Sequence, residues 1–275
     1  MHFIDPISRP EDPAPPLTEI SVPADGRPNS IIDLLDALFV ALFAACAFVV
    51  CGSIATGIFV FVHRGQALGR DALSKELSRN AFFQVPTELA AYVMLLAFMA
   101  FLVAARHKTG LFKAVSWNAP NRDRAIYAIA GGILIAMFSG VAEFLLRRWI
   151  PTSLPIDEFF RDRSSAYLLA GFGILVAPLM EELVFRGFLY PALAHWTGAG
   201  PSVALCSASF ALLHGAQLGY AWAPLLVLFV VGLALTVARA VTGSVAVSVV
   251  IHMAYNFALF TEIFIGTSGF RNLHG

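Results

Sequence analysis

Six side chains capable of acid–base or hydrogen-bond chemistry stand inside otherwise apolar stretches of this sequence: Glu181, Glu182, Arg186, His214, His252 and Asn256. An ionisable group at bilayer depth costs about 2.5–3.5 kcal/mol on insertion scales, so such groups tend to persist where they pair or do chemistry. Glu182 and Arg186 are four residues apart, which puts them on one helical face and predicts an ion pair. Glu181 is turned about 100° from Glu182 and has no obvious partner on its own helix. It is free to meet His214 from another helix and to serve as a general base toward water. His252 and Asn256 also share a helical face. An imidazole N–H beside an amide NH₂ suits stabilisation of an oxyanion. Taken singly, each polar residue could equally form an interhelical hydrogen bond worth about 0.6–2 kcal/mol.

The elements that must hold these groups follow from composition. The chain has 275 residues, 58% hydrophobic and 13% charged, with a mean hydropathy of +0.75. An ordinary soluble domain carries about 25% charged residues. Eighteen Lys/Arg balance eighteen Asp/Glu, so the basic excess of a nucleic-acid binder is absent. The composition excludes a soluble enzyme and a disordered chain, and predicts a multi-pass protein of the cell membrane in contact with lipid. Barrel strands would alternate polar and apolar residues, and these runs do not, so the expected fold is an all-α transmembrane bundle. Cys46, Cys51 and Cys206 all lie in apolar runs and form neither a disulfide framework nor a zinc-ligand spacing.

Charge-free stretches mark the spans. They fall at 37–63, 89–105 and 125–142, then at 164–180 with a continuation through Glu181, Glu182 and Arg186 toward His195. Pro178 is expected to kink this fourth helix. Residues 187–238 carry no formal charge and are divided by Thr197–Pro201 and by the stretch around Gly215, Gly219 and Pro224. This leaves spans near 201–216 and 222–238, and residues 243–262 complete the bundle. The count is seven, or eight if the first stretch breaks at Gly52 or Gly57. Ser30 and Asp33 are expected to form the box that starts the first helix. The organisation is thus a proline-rich tail at 1–30, N-terminal helices and loops at 31–124, a membrane core at 125–262 and a tail at 263–275. Nine basic residues on one face against eight on the other leave orientation unencoded.

Helix geometry then places the polar groups at related depths. Measured from the face near residue 197, Glu181 lies roughly 24 Å in, His214 about 20 Å, His252 about 14 Å and Asn256 about 20 Å. Three separate helices deliver polar groups to one slab, which scattered structural residues would have no reason to do.

Several hydrolytic designs fail on the residues present. There is no His-Glu-x-x-His zinc run, and no Asp follows Asp162. Gly266-Thr267-Ser268-Gly269 comes after the last span with only His274 beyond it. Cys206 and His214 stand roughly 12 Å apart along one helix. A Glu/His site remains. Met180-Glu181-Glu182-Leu183-Val184-Phe185-Arg186 reads Glu-Glu-x-x-x-Arg, Phe210 to His214 reads Phe-x-x-x-His, and His252 to Asn256 reads His-x-x-x-Asn. In this order, over about residues 125–262, the chain resembles the CAAX protease and bacteriocin-processing (CPBP, or Abi) family of intramembrane glutamic endopeptidases, which includes the Ras-converting CAAX endopeptidase. The resemblance implies that Glu181 activates water with help from His214, and that His252 and Asn256 bind the carbonyl oxygen of the tetrahedral intermediate. It also implies that Glu182 and Arg186 shape and neutralise the site, that Phe210 packs beside it, and that the partner is a membrane-associated peptide or protein. It implies no cofactor and no metal, although spacing alone leaves open a metal held by Glu181, His214 and His252. The competing expectations are a non-proteolytic scaffold or immunity protein on the same fold, and a transporter using Glu181 and His214 as a proton relay.

Overall fold

The computed structural model describes residues 30–62, 69, 73, 76, 77, 79–160 and 162–272. The proline-rich tail lies outside them except for Ser30, as do Arg64, Arg70, Lys75, Arg161 and His274. Among the described residues there are helices and no strand. Helix α1 is Leu34–Val62 and α2 is Ala81–His107. A helical turn at Leu111–Ala114 leads to α3, Arg122–Leu146. Helix α4 runs over Arg163–Thr197, α5 over Ala199–Leu213, α6 over Trp222–Thr242 and α7 over Val245–Gly266. Six of the seven, all but α5, are long and apolar enough to cross a membrane, and the chain is a multi-pass membrane protein.

Helix α1 is unbroken through Gly52 and Gly57, so the extra span expected there does not form. Its start also differs from expectation. The box is made by Asp33 and Asp36: the Asp36 N–H donates to Asp33 Oδ1 at 2.9 Å, and the Asp33 N–H donates to Asp36 Oδ2 at 3.0 Å. Ser30 only accepts from the Ile32 N–H. The tertiary partner decides this choice. Arg106 and His107, at the end of α2, bind the buried Asp36 carboxylate, and Arg106 also binds Asp33. Burial pushes the Asp33 carboxyl up, but Arg106 and the hydrogen bonds from Asp36 together hold it below its ordinary range. The α1–α2 pair is thereby pinned at one end of the bundle.

Helix α4 is the spine. Asp162 caps it by accepting from the Ser165 N–H at 2.9 Å. The chain then does not break at Pro178. It widens into a π-helical turn at Phe172–Val176, returns to α-helix, and widens again at Leu183–Leu189. Each widened turn ends two residues before a proline, Pro178 or Pro191. A proline ring clashes with the carbonyl four residues back, and i→i+5 turns are a way to relieve that clash without ending the helix.

Three apolar clusters surround this spine. One joins α1, α2, the 111–115 turn, α4 and the start of α7. A second joins α3, α6 and α7. A third joins α4, α5 and α6 around Phe185, Tyr190, Cys206 and Phe210. The α3–α7 contact is close because Gly132 has no side chain. A Cβ there would strike the Ile251 carbonyl oxygen, the Ala254 side chain at 2.7 Å and the Tyr255 nitrogen at 2.9 Å. Small residues at such crossings let backbones meet. Gly132→Leu is therefore expected to force α7 away and to destabilise the fold by about 1–3 kcal/mol or more. Thermal unfolding in detergent measures the loss, and Gly132→Ala should show a smaller one.

Candidate functional site

The site is built where α4, α5 and α7 meet, with α6 behind it. The α-helical stretch between the two widened turns of α4, Ala177–Glu182, presents Glu181 and Glu182 at the middle of the site. Glu182 is fully buried, and its Oε1 accepts two hydrogen bonds, from Arg186 Nη1 at 2.8 Å and from His252 Nδ1 at 2.9 Å. Its Oε2 has no partner among the described residues. Arg186 is equally buried, and its donors are distributed over three groups. Besides Glu182 it donates to the Thr236 hydroxyl at 3.2 Å and to the Gly232 carbonyl at 3.0 Å, both on α6. Its guanidinium lies 4.7 Å from the centre of the Phe210 ring. The expected i,i+4 pair is thus part of a five-residue network that ties α4 to α6 and α7.

Glu181 is held more loosely. Its side chain is 16% exposed, and no hydrogen bond fixes it among the described residues. Oε1 faces His214 Nε2 at 3.8 Å and Oε2 faces His252 Nε2 at 3.7 Å. Both distances are too long for a direct hydrogen bond. The other ring nitrogens are occupied. His214 Nδ1 donates to the Phe210 carbonyl at 2.8 Å, and His252 Nδ1 donates to Glu182. Neutral imidazole carries one N–H, so each neutral ring turns a lone pair toward Glu181. A carboxylate oxygen and an imidazole nitrogen 3.8 Å apart cannot bond each other, but both can accept from one water.

The remaining predicted residues fall in different places. Phe210 is buried at the centre, with its ring 4.8 Å from His214, 5.8 Å from His252 and edge-on to Phe185. His214 is not inside a span as expected. It is the first residue beyond α5, and it starts a run of turns that ends with Gly219 and Tyr220 in the left-handed region before α6. Asn256 is the least connected of the six. Its Nδ2 donates to the Gly173 carbonyl of α4 at 2.7 Å, and it bonds none of the other five among the described residues. Cys46 is exposed, whereas Cys51 and Cys206 are buried. Cys206 donates to the Phe185 carbonyl.

Three residues at the site escape motif reading. Arg239, the charge that ends the 187–238 stretch, is buried at 3% exposure. It donates to the Arg186 carbonyl at 3.3 Å and to the Val115 carbonyl at 3.4 Å, which braces the base of the network. Glu88, read as the boundary of a span, lies seven residues inside α2 and within electrostatic reach of Glu181. Tyr92, one helical turn further on, senses both carboxylates. The signal available was a Glu and a Tyr four residues apart in a stretch apolar on both sides. Among the described residues no group of three His, Cys, Asp or Glu side chains is arranged to hold a metal ion.

The geometry of α4 to α7 coincides with a family comparison. Residues 163–258 match the Rce1-like family, described as type II CAAX prenyl endopeptidase. That segment contains all six residues named above. The chain is also 50% identical, over 40 residues, to CAAX prenyl protease 2 of Rattus norvegicus. The similarity covers 14% of this chain and 13% of that protein's length. No solved structure matches. Helices α1 to α3 lie outside the Rce1-like segment.

Proposed function

We propose that this protein is an intramembrane endopeptidase of the cell membrane that hydrolyses a peptide bond of a membrane-associated substrate without a metal ion. The observation that carries this reading is the placement of Glu181 against two imidazole Nε2 atoms at 3.7 and 3.8 Å, with both Nδ1 atoms already engaged. A water donating one hydrogen to Glu181 and the other to His214 is held with its oxygen lone pairs free to attack a carbonyl carbon. As the C–O bond forms, the water proton passes to Glu181 and the carbonyl electrons move onto oxygen. Collapse of the intermediate breaks the C–N bond, and the leaving nitrogen takes that proton from Glu181.

The oxyanion is met by His252 and Asn256. Because His252 Nδ1 is committed to Glu182, donation from Nε2 requires the imidazolium form. Asn256 retains one amide hydrogen beyond the one used on Gly173. Glu182 and Arg186 hold this arrangement rather than react. The family description and the name of the rat relative make a prenylated CAAX-type tail the first substrate to try, and a bacteriocin-type leader peptide the second.

The test uses the purified full chain in liposomes with a prenylated CAAX peptide, its unprenylated form and a leader peptide, with products identified by mass spectrometry. Cleavage of the prenylated peptide that falls in Glu181→Ala, His214→Ala and His252→Ala supports the reading. Undiminished turnover in all three, or stoichiometric zinc that is lost on His214→Ala, overturns it.

A further inference from the structure

Helix α2 contributes a side chain to this site that none of the three motifs marks. The Tyr92 ring is clamped: it stacks on Phe172 of α4 with centroids 5.8 Å apart and planes 8° from parallel, and it meets the edge of Phe48 of α1 at 5.8 Å. It packs against the cluster that contains Met180 and Leu183, the two residues flanking the Glu181–Glu182 pair. A ring held by a stack and a T-shaped contact in this way has little freedom to move its hydroxyl. That hydroxyl lies within electrostatic reach of both Glu181 and Glu88. Among the described residues it makes no hydrogen bond, and it is not among the polar atoms sealed inside the protein without a partner. It is an unused donor within electrostatic reach of Glu181.

The proposed hydrolysis gains from such a donor beside His252 and Asn256. His252 can give a hydrogen bond from Nε2 only after gaining a second proton, and Asn256 already spends one amide hydrogen on the Gly173 carbonyl. A phenol O–H donates while neutral and needs no prior protonation. We propose that the Tyr92 hydroxyl donates a hydrogen bond to the carbonyl oxygen of the scissile peptide as negative charge develops on it, which makes Tyr92 a catalytic residue. The inference rests on the endopeptidase reading above. Tyr92 keeps its proton throughout, while the water proton travels through Glu181 to the leaving nitrogen.

The test compares Tyr92→Phe, Tyr92→Ala and Glu181→Gln with the unaltered chain, on whichever peptide that chain cleaves. Phenylalanine preserves the stack on Phe172 and removes only the O–H. The expected result for Tyr92→Phe is a fall of about 10²-fold in kcat, the scale seen for loss of one oxyanion donor. KM should stay within about twofold, as it does when a lost interaction exists only in the transition state. Affinity for a peptidyl phosphonate analogue of the tetrahedral intermediate should fall with kcat, whereas affinity for the uncleaved peptide in a Glu181→Gln background should not. Tyr92→Phe with full turnover, or with a loss confined to KM or to thermal stability, overturns the inference while leaving the endopeptidase reading intact. An unaltered chain that cleaves no peptide overturns both.

Discussion

Glu181→Gln is expected to lower peptide turnover by about 10³-fold, within the range for loss of a positioned general base, and to leave the protein folded. The two halves of this result have separate physical causes. Glutamine matches the shape of glutamate but cannot accept the proton that attacking water must lose. The folded state, however, depends little on this carboxylate. It makes no hydrogen bond at normal distance, standing 3.7 and 3.8 Å from its two neighbours. The change in unfolding free energy should stay below about 1 kcal/mol, less than a typical intramolecular hydrogen bond contributes. Parallel measurement of kcat and of the thermal midpoint checks both halves. Retained activity would remove Glu181 from the chemistry, and a collapsed midpoint would make it a structural residue.

Arg186→Leu should give the opposite pattern. Removing this guanidinium takes the donor away from Glu182 Oε1, the Thr236 hydroxyl and the Gly232 carbonyl at once. Breaking a buried ion pair from one side costs about 3–5 kcal/mol because the surviving charge stays buried. Total stabilities lie near 5–15 kcal/mol, so little folded protein should accumulate, which expression level and size-exclusion behaviour in detergent report. The double variant Glu182→Met with Arg186→Met removes both charges together. It should recover much of the folded yield and none of the turnover, because His252 Nδ1 then loses the acceptor that orients it. A well-folded single variant would show that the network contributes little to the bundle.

The contrast between these two residues explains how much of the site is legible before any coordinates. Charges are so sparse in this sequence that Glu181, Glu182, Arg186, His214 and His252 stand out, and the i,i+4 spacing of Glu182 and Arg186 specifies a contact on one helix. The contacts of His252 and Asn256 are another matter. That His252 turns Nδ1 to Glu182, and that Asn256 reaches Gly173, depends on the closeness of α7 to α4, which no spacing within α7 encodes. Asp33 likewise pairs with Asp36 rather than Ser30 because Arg106 arrives from α2. Glu88 and Tyr92 stay hidden because a charge at the rim of an apolar run reads as its boundary. The widened turns of α4 were half visible: Pro178 forecasts a local disturbance, but whether a helix kinks or expands there depends on its neighbours. Helix α5 was misread by its ending, since nothing between Leu213 and Gly215 is a strong breaker except the glycine itself.

That early ending has a consequence for the surrounding lipid. Fifteen residues rise only about 22 Å, well short of the roughly 30 Å hydrocarbon thickness of an ordinary membrane. Acyl chains beside α5 are expected to shorten or bend, drawing headgroups with their hydration water toward His214. On the proposed hydrolysis, the annulus of lipid is then expected to help set how readily water reaches the site. Turnover should accordingly be faster in vesicles of short-chain phosphatidylcholine than in long-chain ones, with the same protein at the same density.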